Sequence, residues 1–163
     1  MSFAAKSRSA PGAHRLARAV LLVALTTGPA QAAPPAGLEV IRPWSRPAAA
    51  GGSGAGFMEL TNRGRTADAL VAVASPLARN VEMHRSVMAG GVMSMRRLAR
   101  VAVPAGGAVR FAPGGHHLMF LGLSKPLKAG DGLPATLTFA SGAKLNVTFA
   151  VGTGIGPPAP HRH

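Results

Sequence analysis

Five of the seven methionines and three of the six histidines fall between Glu82 and Met119. Methionine offers a soft, neutral thioether and histidine a borderline imidazole, and that pair of donors suits Cu(I). The chain holds no cysteine, which excludes disulfide frameworks, Cys-based zinc sites, iron–sulfur clusters and blue-copper centres. Zinc is a poorer fit than copper, because thioethers are weak zinc ligands beside thiolate, imidazole or carboxylate.

Spacing selects four of these residues. His117 and Met119 are two apart, so on a strand they share a face. Gly114 and Gly115, just before them, allow a tight approach from the loop. His84 and Met95 flank Met88-Ala89-Gly90-Gly91, which reads as the tip of a hairpin. With all four tip residues as the loop, Val87 faces Val92 and His84 falls opposite Met95, Cβ atoms about 4.5–5.5 Å apart. With Gly90-Gly91 alone as the loop, His84 faces Arg97 instead. The expected metal set is His84, Met95, His117 and Met119, two nitrogens and two sulfurs. Met83, Met88 and Met93 read as filler or outer groups, Met58 as packing, and His116 as pointing away from His117.

These residues need strands to position them, and the chain is punctuated accordingly. Gly (21) and Pro (14) are both frequent. Short runs of β-type composition cover residues 38–44, 55–61, 69–74, 80–87, 92–98, 108–112, 116–121, 135–139 and 144–151. Each is bounded by Gly, Pro or Asn, and none shows a sustained 3.6-residue apolar period. Eight or nine short strands in one domain, residues 33–151, predict an all-β sandwich or barrel. Trp44 reads as core rather than as a shield over the metal. Residues 152–163 read as a flexible tail.

With these motifs in view, the sequence resembles the periplasmic copper chaperones of the PCu(A)C type. Their motif is His, ten residues, Met, twenty-one residues, His, one residue, Met. Here it reads His84, Met95, His117, Met119 at those spacings. EMH at 82–84, GVMSMR at 91–96, PAGG at 104–107, PGGHHLMFLGL at 113–123 and KPLKAGD at 125–131 are also similar to the family. PWSRP at 43–47 and the Gly-rich run before FMELTN resemble its first two strands. The likeness covers roughly residues 38–151. One departure is Arg85, where many members place a second Met directly after the first His. The resemblance implies a cupredoxin-like Greek-key β-sandwich that carries Cu(I) at an exposed edge. It implies delivery toward the dinuclear copper centre of cytochrome c oxidase, alone or with Sco-type thiol proteins. Thioethers fit such a carrier, since they cannot be lost to disulfide formation in an oxidising compartment.

The N-terminus reads as an export signal. Lys6, Arg8, Arg15 and Arg18 precede the apolar run AVLLVAL, and GPAQAA follows with small residues at Ala30 and Ala32. Cleavage near Ala32 would release a periplasmic protein, residues 33–163, with no other stretch long enough to span a bilayer. It would carry 14 Lys+Arg against 5 Asp+Glu, a net +9. That charge favours acidic partners. Nucleic acid is set aside because export and the lack of aromatic platforms argue against it. An enzyme is not expected: five scattered carboxylates, no Gly-x-Ser-x-Gly elbow and no phosphate loop leave no catalytic constellation. The expectation is a monomer without stable membrane insertion. Two further readings are a periplasmic copper buffer without a dedicated acceptor and a metal-free basic sandwich docking an acidic partner. His161 and His163 could take Cu(II) through imidazole, against the plainer reading of incidental histidines at a chain end.

Overall fold

The computed structural model describes residues 37–152. The expected signal peptide (residues 1–32) lies outside the described residues. So does the expected tail from residue 153 on, with His161 and His163.

The described residues form ten strands and no helix. They are β1 (Leu38–Ser45), β2 (Ser53–Asn62), β3 (Asp68–Ala74), β4 (Ala78–Ala89), β5 (Val92–Leu98), β6 (Val101–Val103), β7 (Ala108–Phe111), β8 (His116–Leu123), β9 (Gly132–Phe139) and β10 (Lys144–Val151). All nine expected strands are present. The tenth, β6, is only the tripeptide Val101-Ala102-Val103, too short for any alternation to register in a sequence. It pairs with the start of β3 and buries Val101 and Val103.

The strands run in the order β5-β4-β8-β7-β2-β1-β10-β9-β3-β6, with β8 also pairing with β2. The chain passes from β3, near one end of this order, to β4 near the other, a Greek-key crossing. The sheet curls so that β3 comes against β4, and β6 against β2 and β7, closing one core. The first and last strands pair in parallel at Trp44 and Ala150, so both ends of the domain are tied into the sheet.

Alternation assigns the faces. On β8, Leu118 and Phe120 point into the core, while His117 and Met119 take the opposite face. Phe120 meets Phe149 edge to face, with centroids 5.6 Å apart. β2 comes close enough to this pair that a Cβ on Gly56 would stand 2.6 Å from the Phe120 ring. Met58 and Met83 are core residues. Trp44 departs from expectation: it is half-buried and outside the core. It stacks on Phe57 at 4.5 Å. The register Trp44–Phe57 and Ala55–Met119 places that aromatic pair on the face of Met119, not on that of Leu118. A bulge between Ile41 and Trp44 re-aims this part of β1, with Arg42 at a positive φ of 47°.

Candidate metal centre

The β4–β5 hairpin turns on Gly90-Gly91 alone. Both glycines have positive φ, 58° and 78°, as a two-residue type I′ turn requires. Ala89 therefore pairs with Val92, Met88 with Met93, Ser86 with Met95 and His84 with Arg97. The four-residue loop that would have set His84 opposite Met95 is corrected. The physical reason is the twin glycines, which accept the left-handed conformation the tight turn demands and let the strands pair up to it. The two registers differ by two residues. Such a shift keeps every side chain on its face, so Met95 still shares a face with His84, one row nearer the tip.

β8 supplies the direct partners. His117 lies opposite His84, and Met119 lies opposite Glu82. The two imidazoles face each other with ring centroids 5.8 Å apart. Three of the four expected residues, His84, His117 and Met119, therefore stand in adjacent positions on one sheet face. Met95 stands beside them rather than among them and is 61% exposed.

Each imidazole is fixed by a second partner. His117 is 6% exposed, and its Nδ1 lies 3.1 Å from the carbonyl of Gly115. That carbonyl accepts the Nδ1–H, so Nε2 carries the free lone pair. The same carbonyl accepts the N–H of Ser86 at 3.1 Å. The turn Ala112-Pro113-Gly114-Gly115 aims it, with Pro at its second position and Gly114 at φ 80° as a type II turn prefers. His84 is held from the other nitrogen. Its Nε2 lies 2.8 Å from Oε2 of Glu82 and donates to it. Its Nδ1 is then an acceptor, buried and without any hydrogen-bond partner. An orphaned buried acceptor on a ring so oriented matches a metal ligand whose other nitrogen is held by a carboxylate.

Glu82 anchors the arrangement. Its Oε2 accepts from His84, its Oε1 from Asn80 Nδ2 at 3.1 Å, and Arg97 stands 3.5 Å from Oε1. The hydrogen bond from His84 and the charge of Arg97 hold its carboxyl below the usual range, outweighing the opposing effect of burial. The sequence reading missed this role. Its signal was the i, i+2 spacing of Glu82 and His84, which puts both on one face of a strand. His116, on the other face, stacks near Phe111 at 5.8 Å. Burial, with Arg85 and His117 nearby, pushes its pKa down.

Among the described residues, no three His, Cys, Asp or Glu side chains are grouped to hold a metal ion. Beside the two imidazoles, this face offers the thioethers of Met119 and Met95, donors that favour a soft ion. A groove of about 520 Å³ lies elsewhere, between the β2–β3 and β9–β10 turns, where Arg65, Asp68 and Ser141 line it. It contains neither His nor Met.

Known proteins share this architecture. The Cu(I) form of DR1885 from Deinococcus radiodurans, solved in solution, is 31% identical, with a TM-score of 0.57 over 74% of this chain and 83% of that one. The apo PCuAC domain of PmoF1 is 27% identical, with a TM-score of 0.60 over 72% and 94%. The copper-bound PCuAC domain of PmoF2, at 24% identity and a TM-score of 0.61 over 72% and 93%, shares the fold. A protein of Leifsonia xyli subsp. xyli described as "Putative lipoprotein" is 32% identical over 150 residues, 84% of this chain and 90% of its own length. The family model described as "Putative lipoprotein LpqE-like" matches residues 38–151, from the first strand to the last, and the chain belongs to that LpqE-like family, with a sandwich of the PCuAC type.

Proposed function

We propose that this protein is an exported Cu(I) carrier that holds one ion with His84, His117, Met119 and Met95 and passes it to an acceptor. The observation that carries the reading is the buried, unpartnered Nδ1 of His84, across from the equally pre-set His117. Two oriented imidazoles supply nitrogen, and Met119 and Met95 supply soft sulfur. The Cu(I)-bound relative of the same fold supports the choice of ion. Exposure of Met95 supports the carrier role: one ligand on an edge strand can leave the metal and make room for a partner's donor. The acceptor in this reading is the dinuclear copper centre of cytochrome c oxidase, reached directly or through Sco-type thiol proteins.

Export follows the signal-like N-terminus and the lipoprotein description of the relative. The reading places the protein in the periplasm.

The test is anaerobic Cu(I) titration of the protein against a chromophoric Cu(I) chelator, beside the Met95→Leu/Met119→Leu variant. Tight binding that the variant loses is expected. Undiminished affinity in the variant would sink the reading. Delivery is tested by deleting the protein at low copper: a loss of assembled oxidase is expected, while intact oxidase with heightened copper sensitivity would make it a buffer.

A further inference from the structure

Beyond the four residues of the proposed centre, the tip of the β4–β5 hairpin carries two more thioethers in a fixed relation. Met88 and Met93 are directly opposed, one pair from the Gly90-Gly91 turn. Ala89 and Val92 close the turn as a hydrogen-bonded pair, so alternation makes Met88–Met93 the next, non-hydrogen-bonded pair, whose side chains stand closer. Both side chains occupy the face of His84, and they are 64% and 61% exposed. Core packing does not account for them. Leucine or threonine would fill a strand tip as well, and the buried methionines of this chain, Met58 and Met83, are elsewhere.

The pairs descend in order along that face: Met88–Met93 at the tip, Ser86–Met95 in the next row, His84–Arg97 in the next. Each row advances about 6.8 Å along the strand. Met95 thus stands midway between the tip pair and the His84–His117 pair. We propose that Met88 and Met93 form a second, labile site for a soft monovalent ion, Cu(I), at the hairpin tip. The proposal rests on the Cu(I) reading of the main centre only for the choice of ion. Two opposed thioethers can hold a d10 ion between their sulfurs without any anionic ligand, so the site is neutral and weak. Movement of an ion from the tip to Met95 exchanges one Cu–S bond for another. Copper stays Cu(I), and no electron or proton is transferred.

The competing use of the same atoms is apolar contact with a partner protein. Leucine separates the two, since it keeps the apolar surface and removes the sulfur. The experiment is titration of the full chain, labelled with 13C at the methionine ε-methyls, with Ag(I) as a redox-inert probe. Each methionine then reports separately. The first equivalent is expected to shift the Met95 and Met119 methyls and the second those of Met88 and Met93, with buried Met58 and Met83 stationary. In the Met88→Leu/Met93→Leu variant, binding is expected to fall from about two ions to about one. Met88 and Met93 methyls that stay in place through excess Ag(I), while Met95 and Met119 respond, would overturn the tip site and leave the main centre standing. A second binding event that survives in the variant would overturn it too. Response at Met88 and Met93 without response at Met95 and Met119 would uphold the tip site and remove the main centre.

Discussion

Glu82 decides which nitrogen of His84 is available. An imidazole with one nitrogen donating to a carboxylate has its lone pair on the other. Here that other nitrogen, Nδ1, is buried on the face shared with His117. Glutamine at 82 keeps the size but can present its NH2 instead of an oxygen, and it brings no charge to raise the basicity of the ring. Glu82→Gln is therefore expected to weaken Cu(I) affinity by about 10- to 100-fold, in the range typical of lost outer-shell partners. Chelator competition measures the affinity, and nitrogen-15 shifts of His84 report the tautomer. An unchanged tautomer with unchanged affinity would show that Glu82 serves only the strand. His117 is held differently, by the Gly115 carbonyl, so its tautomer should be indifferent to Glu82.

At the scale of the hairpin, register converts turn chemistry into site geometry. Gly91, at φ 78°, sits where a side chain on Cβ is strained. Gly91→Ala is expected to cost about 1 kcal/mol, read as a fall in Tm of about 4 °C for a domain of this size. Cu(I) affinity is expected to fall with it, because this turn sets the register in which Met95 pairs with Ser86. A variant with lower Tm and unaltered affinity would remove Met95 from the set. The same hairpin shows what a sequence can and cannot specify. His117 and Met119 were readable as neighbours on one face, since strand alternation is local. So was the co-facial placement of His84 and Met95, because both admissible loop lengths have the same parity. Their partners were not readable, because a two-residue difference in the loop changes no pattern of apolar and polar residues. The opposition of His84 and His117 was beyond reach as well. It joins β4 to β8 across 32 residues of chain and depends on the whole sheet order. The twin glycines were the available clue to the tight turn.

At the scale of the whole molecule, positive charge dominates, with Lys+Arg 18 against Asp+Glu 5. Four of the five acids hold other groups in place. Glu39 pairs with Arg63 at 2.9 Å, Glu82 holds His84, and Asp131 accepts the N–H of Lys128. Asp68 ties the start of β3 to the β9–β10 turn. Its Oδ2 accepts from the Ser141 hydroxyl at 2.6 Å, and its Oδ1 accepts from the N–H groups of Ala69 and Ser141. Burial alone would raise its pKa, but the hydrogen bonds from Ser141 and Ala69 outweigh it and hold the carboxyl below its usual value of 3.8. A depressed folded-state pKa contributes stability that is present above the unfolded value and lost as pH falls through the folded one. Protonation also adds to an already large positive charge, which opposes compactness. Asp68→Asn cannot ionise, so it is expected to lower Tm at pH 7 while giving a shallower decline in acid. The gap between the two proteins should narrow steadily below the usual carboxylate range. Thermal unfolding across that interval checks this, and parallel curves would show that Asp68 is bonded no better than in the unfolded chain.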